Sequence, residues 1–303
     1  MMDSMNVSAR DRISGAEAQA FLETLHDTPV TQLEQLSGGH WSAAFAYECD
    51  GARLVARFGH NRDWFEVDRD AHSYASANLP VPRVLAIGDA GIVGDGLVFA
   101  ISERADGTFL EDVDPADASR VRPLVGRLLE ALRNASLIDD VDYTWRGWLE
   151  AGIDPEGRNA QWRALVAQDP YAGPIGEVAE RRVRELLDGV PERRELVHGD
   201  LLHGNVLVAD DLGKLNAVFS WKCSARGDAL YDVAWLTFWS PWYPGIESID
   251  PRTLVEDDRD AALRHHCYEL HIGTNHLSWF AQVDDHESLH RVAAELERRI
   301  DEH

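Results

Sequence analysis

The segment that most constrains this chain runs from Leu196 to Val208, where one short apolar run enters a polar turn and another leaves it. The turn carries His198, Gly199 and Asp200, and Asn205 follows the aspartate on the same turn. A turn of this kind holds a carboxylate and an amide on one rigid loop. The pair suits phosphoryl transfer, because a carboxylate can hydrogen-bond an attacking hydroxyl and an amide oxygen can ligate Mg²⁺.

The setting of these two residues matters as much as their identity. Asp200 or Asn205 alone would be an ordinary turn residue, since both residue types favour turns. Together on one loop, framed by His198-Gly199 and by two apolar runs, they indicate a catalytic site. We expect Asp200 to act on the hydroxyl, Asn205 to ligate the metal and His198 to brace the loop through hydrogen bonds.

The chain changes character near residue 105. Short runs separated by turn signals, including the hairpin turn Asp50-Gly51, predict strands before that point, and amphipathic periodicity predicts helices after it. The predicted strands are Val30–Leu36, Ala43–Glu48, Arg53–Phe58, Val84–Ile87 and Leu97–Ser102. Two helices, Ser14–Leu25 and Asp63–Ala77, are predicted among these strands, and the clearest helices after them are Ala118–Leu137 and Gly176–Leu187.

This order of elements predicts an α+β fold. We expect residues 1–104 to form an N-terminal nucleotide-binding lobe around a five-stranded sheet. Residues 105–303 would form a larger, mostly helical C-terminal lobe for catalysis and substrate binding. That is the layout of a two-lobed kinase, although the pattern alone also fits other α+β folds.

Three motifs resemble the aminoglycoside phosphotransferase family, which has a protein-kinase-like fold. Its catalytic-loop signature is similar to the run here in which His198-Gly199-Asp200 is followed, after four further residues, by Asn205. Leu79–Leu85, read as LPVPRVL, resembles the link before its fourth strand, and Gly227–Ala234, read as GDALYDVA, resembles a later segment. The run Phe238–Trp242 is most similar to the hygromycin B phosphotransferases of the family. The resemblance covers most of the chain.

The resemblance implies ATP and Mg²⁺ as cofactors and assigns the nucleotide-binding residues. It places Ser37, Gly38 and Gly39 in a loop over the phosphates, and Arg57 at the strand position of the lysine that pairs with the α- and β-phosphates. Asp68 and Glu66 are both candidates for the acid that pairs with Arg57. The connector that contains Glu103 and Ala105 would offer backbone groups to adenine.

The chain departs from the family pattern at Ser220. In the family the strand after the catalytic loop ends in an apolar residue, an aspartate that ligates the metal and a tryptophan; here it ends in Phe219-Ser220-Trp221. A hydroxyl is a far poorer Mg²⁺ ligand than a carboxylate. Three explanations of this serine are open. The chain is an inactivated variant, it is a natural pseudokinase, or another acid such as Asp228 holds the metal.

Cationic antibiotics are bound by carboxylates and aromatic faces. The resemblance and residue types propose five substrate-binding residues: Asp228, Asp232, Trp235, Trp239 and Asn275. Asp232 and Trp239 are the stronger candidates, while Asp228 is expected to brace the catalytic loop. Packing of the tryptophans in a core is the competing interpretation of each one.

The formal net charge of −24 disfavours a nucleic acid partner and suits a polycationic small molecule. The chain shows neither a leader pattern nor a window as apolar as a membrane span, so we expect a soluble, cytoplasmic protein without a membrane partner. We also expect a monomer.

The sequence therefore predicts an ATP-dependent O-phosphotransferase of an aminoglycoside antibiotic, similar to hygromycin B kinases and impaired by Ser220. The alternatives are a pseudokinase that binds nucleotide or drug without efficient turnover, and a kinase of another small alcohol such as a macrolide or choline.

Overall fold

The computed structural model describes residues 13–36, 42–137, 141–154, 156–157, 159–254 and 259–302. Contacts divide the chain into two compact units. Unit 1 comprises Met1–Asp112 and Leu202–Cys223, and unit 2 comprises Val113–Leu201 and Ser224–His303. The predicted lobe boundary between residues 104 and 105 stays a prediction.

The main sheet of unit 1 is antiparallel and confirms the predicted five strands within the described residues. Its order is β1-β2-β3-β5-β4. The strands are β1 (Thr31–Gln35), β2 (Ser42–Cys49), β3 (Ala52–Gly59), β4 (Val84–Asp89) and β5 (Val98–Glu103). Asp50 and Gly51 both have positive φ, as a two-residue hairpin turn between β2 and β3 requires.

One face of this sheet packs against helix α1 (Gly15–His26). Ser14 caps the helix in a reciprocal arrangement with Glu17, which confirms the predicted start. The Phe21 ring of α1 lies 5.5 Å from the Phe58 ring and 5.1 Å from the Phe99 ring, edge to face in both cases. These aromatic rings belong to the apolar core of unit 1.

Helix α2 (Arg62–Ala71) packs on the same sheet through Phe65, which contacts Val98 and Ala100 of β5. A 3₁₀ turn follows the helix, so the prediction that it continues to Ala77 was wrong. The chain leaves the helical path because Ser76 pairs with Leu79 in a β-bridge that buries the leucine side chain.

A smaller sheet in unit 1 carries the segment that follows the polar turn. Its order is β6-β8-β9, formed by β6 (Thr108–Phe109), β8 (Val206–Val208) and β9 (Leu215–Val218). Gly107 precedes β6 at a φ of 143°, and a Cβ atom there would lie 2.2 Å from the carbonyl oxygen of Val208. Only glycine permits this close approach.

Unit 2 is mostly helical, as predicted. Its helices are α3 (Ala118–Arg133), α4 (Trp145–Ile153), α5 (Ala160–Val166), α6 (Ala172–Leu187), α7 (Leu230–Trp239), α8 (Pro244–Ile249), α9 (Arg259–Gln282) and α10 (His286–Asp301). The strands β7 (Glu195–Val197) and β10 (Ala225–Gly227) pair antiparallel. Helix α9 contacts α5, α6, α7 and α10 and forms the centre of the unit.

The bounds of two predicted helices needed correction. Helix α6 begins before Gly176, because the Asp169 carboxylate accepts hydrogen bonds from the backbone N–H groups of Tyr171 (2.9 Å) and Ala172 (2.8 Å). Helix α3 ends at Arg133, short of the predicted Leu137. None of the described helices is long and apolar enough to cross a membrane.

A buried ion cluster joins α10 to α9 and α7. Arg299 is 1% exposed and donates from Nε to Glu295 Oε1 at 2.6 Å. Its Nη2 donates to the carbonyl oxygen of Thr237 at 2.7 Å, and its Nη1 donates to Glu269. The guanidinium is thus paired on three sides, which is the condition under which a charge can be buried.

Candidate active site

The loop from His198 to Asn205 connects β7 to β8. Three of its residues, Gly199, His203 and Gly204, have φ angles of 75°, 62° and 80°, so the chain turns sharply. His198 is fully buried, and its Nδ1 accepts a hydrogen bond from the Asp200 backbone N–H at 3.2 Å. This bond agrees with the predicted bracing role of His198. Asp200 itself is part-exposed.

Of the two aspartates near α7, Asp232 is the one that contacts the His198–Asn205 loop. Asp232, fully buried, accepts hydrogen bonds from the backbone N–H groups of His198 (2.8 Å) and Gly199 (2.7 Å). Asp232 therefore holds the loop, and the prediction that Asp228 does so was wrong. Burial raises the pKa of the Asp232 carboxyl, while His198 and the two N–H donors oppose that shift.

Asp228 is equally buried but binds elsewhere. Its Oδ2 accepts hydrogen bonds from Tyr268 Oη at 3.0 Å and lies 2.9 Å from Arg264 Nε, both on α9. Its Oδ1 accepts from the Leu230 N–H at 3.1 Å, at the start of α7. Both carboxylates are fully buried and belong to the framework of unit 2. A role for either one in substrate binding stays a prediction.

Replacing Asp232 with asparagine is expected to lower the free energy of unfolding by about 1–3 kcal/mol, because the amide N–H₂ would face a buried backbone N–H donor. Urea unfolding of the variant measures this loss. Asp188→Asn, at an exposed aspartate after α6, is the matched control. Equal unfolding free energies for the two variants would contradict the loop-holding role.

The other predicted substrate residues lie within unit 2. Trp235 and Trp239 are 5% and 4% exposed, and their rings lie 5.1 Å and 4.8 Å from the ring of His276. Asn275 is part-buried; its Oδ1 accepts from Asn159 Nδ2 at 3.1 Å. These contacts are those of packing residues, and a role for the three residues in substrate binding stays a prediction.

Arg57 and Asp68 form an ion pair in unit 1. Arg57 Nη1 lies 2.6 Å from Asp68 Oδ2, and the guanidinium lies 5.0 Å from the centre of the Phe65 ring. The other oxygen of Asp68 accepts a hydrogen bond from the Trp221 backbone N–H at 2.7 Å. Of the two acids that the sequence left open, Asp68 is the partner of Arg57, and it also fixes the segment that carries Ser220.

Ser220 and Asn205 lie on neighbouring segments of the smaller sheet. The Phe219 N–H donates to the Asn205 carbonyl oxygen at 2.8 Å, which brings the following residue, Ser220, beside Asn205. Ser220 has a φ of 61°, a left-handed conformation in which aspartate and asparagine are enriched several-fold over other residues. The backbone at this position thus suits an aspartate better than a serine.

A cavity of about 60 Å³ lies within unit 1 between the sheet, α2 and the Ser220 segment. Its volume is several times that needed for one water molecule. It is lined by Ser42, Arg57, Gly59, Asn61, Trp64, Phe65, Asp68, Ser220 and Lys222. The cavity therefore brings Ser220 together with Arg57 and Asp68.

Two further residues of this region, Lys222 and Glu111, were not predicted from the sequence. Lys222 lines the cavity, and its Nζ lies 5.2 Å from the centre of the Trp64 ring. Two features of the sequence could have drawn attention to Lys222: it directly follows Ser220-Trp221, and the chain has only one other lysine. Glu111 accepts a hydrogen bond from the Gly204 N–H, and burial raises the pKa of Glu111; no sequence signal indicated this contact.

The contacts of the structure say little about the other predicted nucleotide-binding residues. Ser37, Gly38 and Gly39 lie outside the described residues. Glu103 ends β5, where its carboxylate contacts Arg83, and the next residue, Arg104, donates its N–H to the Arg53 carbonyl oxygen at 3.1 Å. The adenine-binding role of Glu103 and Ala105 stays a prediction.

The side chains near Ser220 would hold a metal ion more weakly than a pair of carboxylates would. Ser220 and Asn205 offer a hydroxyl and an amide, both neutral, while the Asp68 carboxylate is already bound by Arg57 and Trp221. Within the described part of the chain, no group of three or more His, Cys, Asp and Glu side chains is placed to hold a metal ion. With Arg57 and Lys222 both on its wall, the cavity is better suited to an anion.

Comparison with known proteins supports a common origin with phosphate-transferring enzymes. Residues 32–261 match the model of the "Phosphotransferase enzyme family". Hygromycin-B 4-O-kinase of Escherichia coli is 30% identical over 285 residues, which cover 88% of this chain and 80% of that protein.

Solved structures of related proteins have the same fold. The crystal structure of aminoglycoside phosphotransferase APH(4)-Ia matches with a TM-score of 0.85 and 28% identity, over 95% of this chain and 99% of that one. A thermostable mutant of that protein, in a ternary complex with AMP-PNP and hygromycin B, matches with a TM-score of 0.84 and 28% identity, over 94% and 98%. Aminoglycoside 2'-phosphotransferase-IIIa matches with a TM-score of 0.60 and 16% identity, over 96% of this chain and 99% of that one. At this identity the match shows a common fold and nothing more.

Proposed function

Because the chain belongs to the phosphotransferase enzyme family, we propose that it transfers the terminal phosphate of ATP to a hydroxyl group of an aminoglycoside similar to hygromycin B. The observation that carries this proposal is the similarity to hygromycin-B 4-O-kinase across 88% of the chain, together with the loop that bears Asp200 and Asn205. A net charge of −24 attracts a drug with several ammonium groups.

In this proposal the drug hydroxyl is positioned by the Asp200 carboxylate. The hydroxyl oxygen forms a bond to the γ-phosphorus while the bond from that phosphorus to the β,γ-bridging oxygen breaks. The proton of the hydroxyl passes to Asp200, and ADP leaves. Asp232 and His198 keep the loop in shape, so the contribution of Asp200 comes from orientation as well as proton acceptance.

Charge in the nucleotide site comes from the chain and from a bound cation. Mg²⁺ on the phosphates would neutralise charge that develops on the transferred group, and Asn205 is the residue that we propose as its protein ligand. Arg57, which forms an ion pair with Asp68, would pair with the α- and β-phosphates. An arginine fork presents its donors differently from a lysine ammonium, so the contact is not a copy of the family's lysine contact.

A substrate panel tests the proposal. The purified chain is incubated with ATP and Mg²⁺ and with hygromycin B, a second aminoglycoside, a macrolide or choline, and the products are weighed by mass spectrometry. We expect hygromycin B to gain the mass of one phosphate group and the macrolide and choline to remain unchanged. Phosphorylation of the macrolide or of choline alone would reassign the acceptor.

A second candidate function is favoured by Ser220: a protein that binds nucleotide or drug without turning it over. Running the chain beside its Ser220→Asp variant separates the two. If only the variant yields phosphorylated drug, the chain is a disabled kinase; if the unchanged chain yields it, the binding-only function is excluded. The positive φ of Ser220 indicates that the backbone will accept the aspartate.

A further inference from the structure

The cavity of unit 1 concentrates positive charge in an acidic protein. The chain has 53 acidic and 29 basic residues, yet the cavity wall carries Arg57 and Lys222 beside a single carboxylate, Asp68. That carboxylate accepts from Arg57 with one oxygen and from the Trp221 N–H with the other. Lys222 therefore adds a second basic side chain to the wall of the cavity.

The position of Lys222 is fixed by its neighbours. Trp221 is 1% exposed, and its backbone is bound to Asp68 of α2, so the residue that follows it has little freedom. The ammonium of Lys222 lies 5.2 Å from the centre of the Trp64 ring, also on α2. An aromatic face at this distance attracts a cation and orients it without removing its N–H donors.

Lys222 also lies beside the position that departs from the family pattern. Ser220 and Lys222 line the same cavity, and Ser220 is adjacent to Asn205 through the Phe219 hydrogen bond. A carboxylate at position 220 would bring a negative charge and attract a metal ion, whereas the Ser220 hydroxyl brings no charge. The loss of a negative group and the presence of an ammonium change the cavity in the same direction, toward binding an anion directly.

From these contacts we propose that the Lys222 ammonium binds a phosphate oxygen of the nucleotide directly and supplies, together with Arg57, the positive charge that a metal ion held at position 220 would otherwise supply. The inference rests on the proposed function, because it takes the anion to be the phosphate chain of ATP. Its consequence is that this chain binds ATP with little dependence on Mg²⁺.

Titration calorimetry with ATP tests this consequence on the full chain, once with excess Mg²⁺ and once with EDTA. We expect the two dissociation constants to differ by less than about threefold. Lys222→Met should weaken ATP binding in EDTA by about tenfold or more, since a hydrogen bond to a charged group is lost. Lys222→Arg, which keeps the charge, should retain most of the affinity.

Lys214→Met is the matched control, because Lys214 is the other lysine of the chain and lies exposed outside the cavity. It should bind ATP as the unchanged chain does. Equal affinities of Lys222→Met and Lys214→Met would overturn the inference, as would ATP binding that disappears in EDTA. If ATP does not bind under either condition, both the inference and the proposed function fail.

Selective labelling offers a second readout that does not depend on affinity. An acyl-phosphate derivative of ATP transfers its acyl group to a lysine amine near the phosphates and releases ATP. Peptide mass spectrometry should find the acyl group on Lys222 and not on Lys214, and excess ATP should prevent the labelling. Equal labelling of both lysines, or none on Lys222, would contradict the proposed contact.

The inference and the proposed function can fail separately. If ATP binding depends on Lys222 but none of the panel antibiotics is phosphorylated, the phosphate contact stands and the proposed acceptor is wrong. If hygromycin B is phosphorylated while Lys222→Met binds ATP normally, the enzyme assignment stands and the role of Lys222 is wrong.

Discussion

Replacing Asp200 with asparagine is expected to lower the rate of phosphate transfer to hygromycin B by about 10²–10⁴-fold, the range that a positioned general base contributes. The asparagine has nearly the same shape but cannot accept the proton. The loop should keep its conformation, because Asp232 and His198 hydrogen-bond to its backbone. ATP affinity should therefore stay within about twofold of the unchanged chain, which corresponds to less than ~0.5 kcal/mol.

Steady-state rates with the drug, and calorimetric titration with ATP, measure the two parts of this prediction. Asp188→Asn provides a control for a change of the same type on the surface of unit 2. A variant at Asp200 that loses rate and ATP affinity equally would indicate a disturbed loop. A variant that keeps its rate would remove Asp200 from the chemistry.

Replacing Arg299 with methionine is expected to lower the free energy of unfolding by about 3–5 kcal/mol, as when one partner of a buried charge pair is removed. Arg299 is 1% exposed, and its loss would leave the Glu269 carboxylate, which is 2% exposed, without its closest cation. The Thr237 carbonyl oxygen would also lose its donor. A loss of this size is a large fraction of the stability of an average domain.

Urea unfolding of Arg299→Met beside Arg298→Met isolates the effect of burial. The adjacent Arg298 pairs with Glu295 and Glu302, but its side chain is 46% exposed. Exposed ion pairs contribute about 0–1 kcal/mol, so Arg298→Met should unfold close to the unchanged chain. Similar losses for both variants would show that the buried cluster contributes no more than a surface pair.

Local patterns predicted the elements of the fold well. The Asp50-Gly51 hairpin and the Ser14 cap could be read because each depends on residues a few positions apart. Errors arose at element ends, where distant contacts decide. Helix α2 stops early because Ser76 pairs with Leu79, and α6 starts early because the Asp169 carboxylate accepts from the N–H groups of Tyr171 and Ala172.

The candidate site was predicted in parts rather than as an assembly. The sequence placed Asn205 and Ser220 on consecutive segments of the chain, and the Phe219 hydrogen bond to Asn205 joins those segments. It assigned loop bracing to Asp228, whereas Asp232 is the carboxylate that accepts from the His198 backbone. Both residues precede or begin the same helix, and only the fold determines which of them reaches the loop. Lys222 was missed for the same reason, since its neighbour Trp64 lies far away in the chain.

The central claim is that this chain moves a phosphate group from ATP to the drug. The most direct measurement follows ATP radiolabelled in its γ-phosphate, incubated with hygromycin B and either the unchanged chain or Asp200→Asn. The account predicts that label enters the drug with the unchanged chain and is almost absent from it with the variant. Label that stays in ATP, or that appears only as inorganic phosphate with both proteins, would contradict it.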